Sequence, residues 1–157
     1  MVKKLKNLKY YEAIGRRKSA IARLRLYLVG KDKTVIIKNP KGNGSLKIKQ
    51  GDIYVNGKPI EIVFPNQVDK ARYIFPLKVT DNINRFAVSI LVHGGGKSGQ
   101  IDAIVNAFAK AIEKIDRDQY RPSLKKLGLL TRDSRVRERR KVGTGGKARR
   151  AKQSPKR

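Results

Sequence analysis

Over residues 19–28 the apolar and polar positions alternate. Ala20, Ala22, Leu24, Leu26 and Leu28 share one face, and Ile21, Arg23, Arg25 and Tyr27 share the other. A period of two predicts a strand with one buried face and one basic face. Residues 34–38 and 46–49 are shorter β-rich runs, and Pro40 with the nearby glycines separates them as a turn would. Asn56-Gly57 is a tight-turn signal, and Pro59 is placed to open a short helix. Residues 66–74 predict a helix that buries Val68, Ala71 and Ile74 and is ended by Pro76.

In residues 85–92, Phe86, Val88, Ile90 and Val92 form one face, and Ala87, Ser89 and Leu91 form another that is also largely apolar. This predicts a central strand covered on both sides. The strongest helical period spans residues 99–116, with Ile101, Ile104, Val105, Phe108, Ile112 and Ile115 three, four or seven apart. A second short helix is predicted over 121–128, starting at Pro122-Ser123 and stopping at Gly128. Strands early and helices late predict an α+β fold, a mixed sheet with helices on one face. The domain is expected over 10–130, with a basic extension over 1–9 and a tail over 131–157.

Charge changes the picture most in that tail. Its eight Arg and four Lys face only Asp133 and Glu138, and its large aliphatic residues are Val136 and Val142. Such a segment cannot bury enough surface to fold alone. It lacks the apolar face of a membrane-surface helix. Guanidinium groups that grip phosphate in a bidentate way fit it best, with Gly143, Gly145 and Gly146 letting the backbone thread tight spaces. The chain as a whole holds 39 Lys+Arg against 12 Asp+Glu, a formal net charge of +27. A polyanionic partner accounts for that excess, because each neutralised phosphate releases counterions. No cysteine and one histidine exclude a zinc finger. No metal or other cofactor is expected. No apolar run reaches the roughly 20 residues of a membrane span, so no membrane partner is expected. The first residues lack the core of a secretory signal and the composition of a transit peptide, so the chain is expected to work where it is made.

Three local motifs bear on chemistry. Gly96-Lys97-Ser98 suggests a nucleotide-binding loop, but that pattern requires glycine at position 91, which is Leu91. The competing reading is a tight passage from strand to helix, for which glycine supplies positive φ. Amides at the helix start, with Lys97, could also meet an RNA phosphate. His93 has no partner for catalysis nearby in sequence and reads as a strand-end residue. Asp116 and Asp118 point different ways and make a poor acid/base pair. Arg16, Arg17 and Lys18 form a basic cluster that, with Arg23 and Arg25, favours RNA contact over plain solubilising charge. The remaining alternatives are a phosphate-processing enzyme built on the glycine loop and a general nucleic-acid condenser.

The ordered blocks "GRRKSAIARLRL" (15–26), "HGGGKSGQ" (93–100), "LKKLGLLTRDSRVRERRKVG" (124–143), "KARR" (147–150) and a Lys-Arg end resemble the ninth-protein family of the small ribosomal subunit, in its bacterial or organellar form. The resemblance runs from about Tyr10 to Arg157. It implies a mainly antiparallel sheet backed by helices, like the second domain of ribosomal protein five, with a left-handed βαβ crossover. It implies a non-enzymatic role in the head of a cytoplasmic small subunit, with no small-molecule substrate. The implied partners are the 3′ (head) domain of the rRNA, neighbouring head proteins and the P-site tRNA. Carried onto this chain, Arg132, Arg135, Arg137, Arg139, Arg140, Lys141, Lys147, Arg149 and Arg150 would line the rRNA path, and Lys156 and Arg157 would reach the tRNA anticodon stem-loop. The family usually ends Gln-aromatic-Ser-Lys-Arg, whereas this chain ends Gln153-Ser154-Pro155-Lys156-Arg157. Residues 31–50 are longer than the common form, and Thr144-Gly145-Gly146 stands where the family is shorter and more basic.

Overall fold

The computed structural model describes residues 9–30, 34–38 and 44–137. Strands β1 (Tyr10–Arg17), β2 (Ala20–Leu28), β7 (Phe86–His93), β5 (Ile53–Val55) and β6 (Lys58–Pro59) lie in that order in a five-stranded sheet. All neighbours are antiparallel except β5 and β7. That parallel pair is joined through α1 (Ile60–Val63) and α2 (Gln67–Val79), which makes the connection a crossover. Strands β3 (Thr34–Lys38) and β4 (Ser45–Lys49) form a separate hairpin. The chain closes with α3 (Lys97–Glu113) and α4 (Arg117–Lys126).

The alternation expected for β2 holds over most of its length. Ala20, Ala22, Leu24 and Leu26 are fully buried, and Phe86, Val88, Ile90 and Val92 of β7 join them beneath Ile101, Ile104, Phe108 and Ile112 of α3. Leu28, expected on the same buried face, is 43% exposed; it lies one residue past Tyr27, the last position of β2 that pairs with β1. On the opposite face Tyr27 and Ala87 pack with Val35 and Ile48 of the β3–β4 hairpin in a second, smaller core. The hairpin therefore covers one end of the sheet face that the helices leave open. Strand β7 is central as expected, but its second face is only partly covered, with Ser89 and Leu91 half-buried.

Asn56 (φ 51°) and Gly57 (φ 86°) both adopt positive φ and turn β5 into β6, the geometry a two-residue hairpin requires. The Asn56 side chain then does what another residue of strand would do. Its Nδ2 donates to the Val92 carbonyl and its Oδ1 accepts from the Val92 amide, both at 3.0 Å. Two polar groups of a central strand are thereby satisfied past the point where β5 ends.

Three elements depart from expectation. The periodicity overlooks β1, whose inward positions carry Ala13 and Gly15 rather than large aliphatic residues. Ala103, Ala107 and Ala111, each four apart and fully buried, give α3 a smooth face where it meets this strand. Small residues on both sides allow a close approach. Helix α2 runs through Pro76 instead of ending before it, and its buried face is Tyr73, Pro76 and Leu77, leaving Val68 73% exposed and Ala71 exposed. Proline removes one backbone donor, but burial of that face holds the helix together, and the Thr80 hydroxyl satisfies the Pro76 carbonyl at 2.9 Å. Helix α4 begins at Arg117, four residues before its expected start, because the Asp116 side chain caps it by accepting from the Gln119 amide at 3.1 Å.

Candidate nucleic-acid interface

The two-residue turn between β1 and β2 is Lys18-Ser19, with Lys18 at φ 52°. It packs directly against the glycines that lead from β7 into α3. Gly94 (φ 74°) and Gly95 (φ 63°) both require positive φ, and a Cβ on Gly94 would collide with the Ser19 carbonyl oxygen. The glycine cluster thus serves a tight passage that nests the neighbouring turn. Leu91 stands in β7, half-buried, where a phosphate loop would need glycine. His93 is the exposed last residue of β7, paired with Ile21 in register.

This contact gathers basic groups at one end of the molecule. Lys18 is exposed in the turn, and Lys97 is exposed at the start of α3, whose first turn carries no acidic residue. The helix start has no side-chain cap at Gly96, so its positive end faces outward uncompensated. Arg16 and Arg23 occupy the sheet face away from the helices and are exposed. Arg25 shares that face, but its Nε lies 2.6 Å from Glu12 Oε2 and its guanidinium stacks 4.9 Å from the centre of the Tyr10 ring. The Glu12 hydrogen bond raises the affinity of Arg25 for its proton, against the effect of burial.

Arg17 does not join this group. As the neighbour of Arg16 along a strand it faces the helices, and its side chain is only 17% exposed. Its Nη2 lies 3.0 Å from Asp133 Oδ2, and its Nε lies 3.6 Å from Asp102 Oδ2. Arg72 also pairs with Asp102. Arg17 therefore ties β1 to α3 and to the chain beyond α4. Sequence patterns hide this role, since Asp102 and Asp133 are more than 80 residues away.

Beyond α4, Arg132, Arg135 and Arg137 are exposed. Arg135 closes on Asp133 through Nη2 at 2.8 Å. The guanidinium of Arg135, then its backbone amide, then the charge of Arg17 hold the Asp133 carboxyl well below the usual carboxylate range. Arg139, Arg140, Lys141, Lys147, Arg149, Arg150, Lys156 and Arg157, with the family-derived tail contacts, lie outside the described residues. Among the described residues no cluster of His, Cys, Asp and Glu could hold a metal ion, and no helix is long and apolar enough to cross a membrane.

The sequence profile of the ribosomal protein S9/S16 family matches residues 15–157. Among individual relatives, the chain is 41% identical to the small ribosomal subunit protein uS9 of Thermus thermophilus over 150 residues, covering 96% of this chain and all of that one. It is 41% identical to the uS9 of Leifsonia xyli over 145 residues, covering 92% of this chain and 74% of that one. With the uS9 of Saccharopolyspora erythraea the identity is 40% over 146 residues, covering 93% and 81%. A match of this extent, running through strand, glycine passage, helices and basic tail alike, establishes that the chain belongs to the ribosomal protein S9/S16 family.

Proposed function

We propose that this chain is built into the head of the small ribosomal subunit, where it binds the 3′ domain of the rRNA and extends its tail to the P-site tRNA. The chain is a structural ribosomal protein and not an enzyme. The observation that carries the proposal is the family match across residues 15–157, which takes in the basic tail as well as the folded domain. Arg16, Lys18, Arg23, Arg25 and Lys97 supply phosphate contacts from the folded domain. Arg132, Arg135 and Arg137 start a second basic track, which Arg139, Arg140, Lys141, Lys147, Arg149 and Arg150 continue. Lys156 and Arg157 make the tRNA contact, and neighbouring head proteins pack on the remaining surface. The βαβ crossover from β5 to β7 takes the left hand in this reading, as in the second domain of ribosomal protein five.

The assembly claim is tested by sedimentation of cell lysate. The protein should travel with small subunits, and a free pool with none in the subunit peak would refute it. The tail claim is tested by deleting Lys156 and Arg157. Subunits should still assemble but retain P-site tRNA more weakly in a filter-binding assay, and unchanged affinity would refute the contact.

A further inference from the structure

The segment leaving α4 is held at every second carbonyl. Gly128 (φ 69°) ends the helix, its amide bonding to Lys125 O at 2.9 Å while the Leu129 amide reaches back to Leu124 O at 3.1 Å. Asn106 Nδ2 then donates to the carbonyls of Leu129, at 3.0 Å, and Thr131, at 3.4 Å. Arg17 Nη1 donates to the carbonyls of Asp133, at 3.2 Å, and Arg135, at 2.9 Å. Carbonyls 129, 131, 133 and 135 are thus taken in order along the segment, from the turn closed by the Thr131 amide on the Gly128 carbonyl at 3.2 Å into the irregular chain beyond it. Here the partners are two side chains on α3 and β1 rather than a neighbouring strand.

Both side chains are rigidly placed. Asn106 is 6% exposed, in the middle of α3. Its two carbonyl contacts require the amide nitrogen to face the segment, which leaves its Oδ1 without a partner among the described residues. Arg17 is the last residue of β1, braced by Asp102 and Asp133. The two grips follow one another along residues 129–135, so they fix a direction as well as a point of attachment.

We propose that Asn106 and Arg17 form a rail that sets the exit direction of the C-terminal tail, so that Arg17 is a positioning residue for the tail and not a phosphate contact. Its consequence for tRNA rests on the tail reading above. A tail launched in one direction spends less conformational freedom when its far end is bound. Loss of the rail should therefore weaken the distal contact without removing any charge from the tail.

The experiment uses spin labels, since the chain has no cysteine of its own. Cysteines replacing exposed Gln67 on α2 and exposed Val136 on the segment report the exit direction. A second pair, at Gln67 and Lys125, reports whether the domain is folded. The parent should give a narrow distance distribution between positions 67 and 136. Arg17→Ala and the volume-conserving Asn106→Leu should broaden it while the 67–125 distribution stays narrow. Narrow 67–136 distributions in both variants would overturn the rail. If Arg17→Ala fails to fold by the 67–125 criterion, Asn106→Leu decides alone. In reconstituted small subunits Arg17→Ala should weaken P-site tRNA binding about fivefold. Removal of residues 138–157 serves as the reference. If that truncation leaves tRNA binding unchanged, the tail reading falls while the distance measurement still decides the rail. If truncation weakens binding and Arg17→Ala does not, the positioning role falls and the tail reading stands.

Discussion

Gly15 of β1 lies directly beneath Ala103 of α3, so close that a Cβ on Gly15 would run into the Ala103 carbonyl oxygen and stand 2.5 Å from the Ala107 amide nitrogen. These are backbone atoms and cannot rotate away. Gly15→Ala should force α3 off the sheet and cost about 3 kcal/mol, at the upper end of overpacking changes. In thermal unfolding that corresponds to a loss of roughly 10 °C for a domain of this size. A variant that melts with the parent would show that the helix can lift without penalty.

Asn56 extends the β5–β7 pairing with its side chain while sitting at a positive φ. Asn56→Ala leaves the amide and carbonyl of Val92 without these partners and puts alanine in a left-handed conformation. The expected loss is about 2–4 kcal/mol. Asn56→Gly removes the hydrogen bonds but keeps the conformational freedom, so its midpoint in urea should fall between the parent and Asn56→Ala. Equal midpoints for the two variants would mean that conformation contributes nothing.

Arg23 is exposed on the open sheet face and makes no ion pair among the described residues. Arg23→Ala should weaken binding to a head-domain rRNA fragment and lower the slope of log affinity against log salt by about 0.7–0.9, one phosphate's worth. Lys97→Ala should behave alike. Arg17→Ala, read at the same fragment, should leave the slope unchanged, because its guanidinium is committed to Asp102, Asp133 and two carbonyls. A full unit lost on removing Arg17 would place it on RNA after all.

The Asp133 carboxyl is held below its ordinary value by Arg135 and Arg17. A depressed folded-state pKa means that the stabilisation is present above the unfolded value, about 3.9, and is lost as pH falls from there. Asp133→Asn should therefore lower stability at pH 7 and converge with the parent in stronger acid. A carboxyl chemical-shift titration should give a midpoint clearly below 3.9. A midpoint at or above that value would contradict the ion pair.

What could be read from the sequence was whatever repeats along the chain. Strand β2, strand β7 and helix α3 announce themselves because their large apolar residues recur at the period of the element. Strand β1 is silent, because a strand that touches a helix at close range needs glycine and alanine where a pattern search looks for leucine. Helix α2 runs through Pro76 because burying Tyr73 and Leu77 outweighs one missing donor, a balance that only tertiary packing sets. The same limit applies at the site. Arg16, Arg17 and Lys18 look alike as a basic run, yet strand alternation sends Arg16 and Arg17 to opposite faces and gives them different partners. The glycines after His93 were legible as a turn, but the Ser19 carbonyl that makes Gly94 irreplaceable comes from 75 residues earlier.

The order of strands also sets a timetable. Strand β2 pairs with β7, and its inward face is roofed by α3, so that face of the β1–β2 hairpin has no helix over it until the chain has been made as far as Glu113. At about 5–20 residues per second, synthesis from Leu28 to Glu113 takes roughly 4–17 s. Through that interval Leu24 and Leu26 wait in an open hairpin attached to a nascent chain. The main core of this chain thus closes only after α3 has been made, with the residues that begin it waiting through most of the folded domain's synthesis.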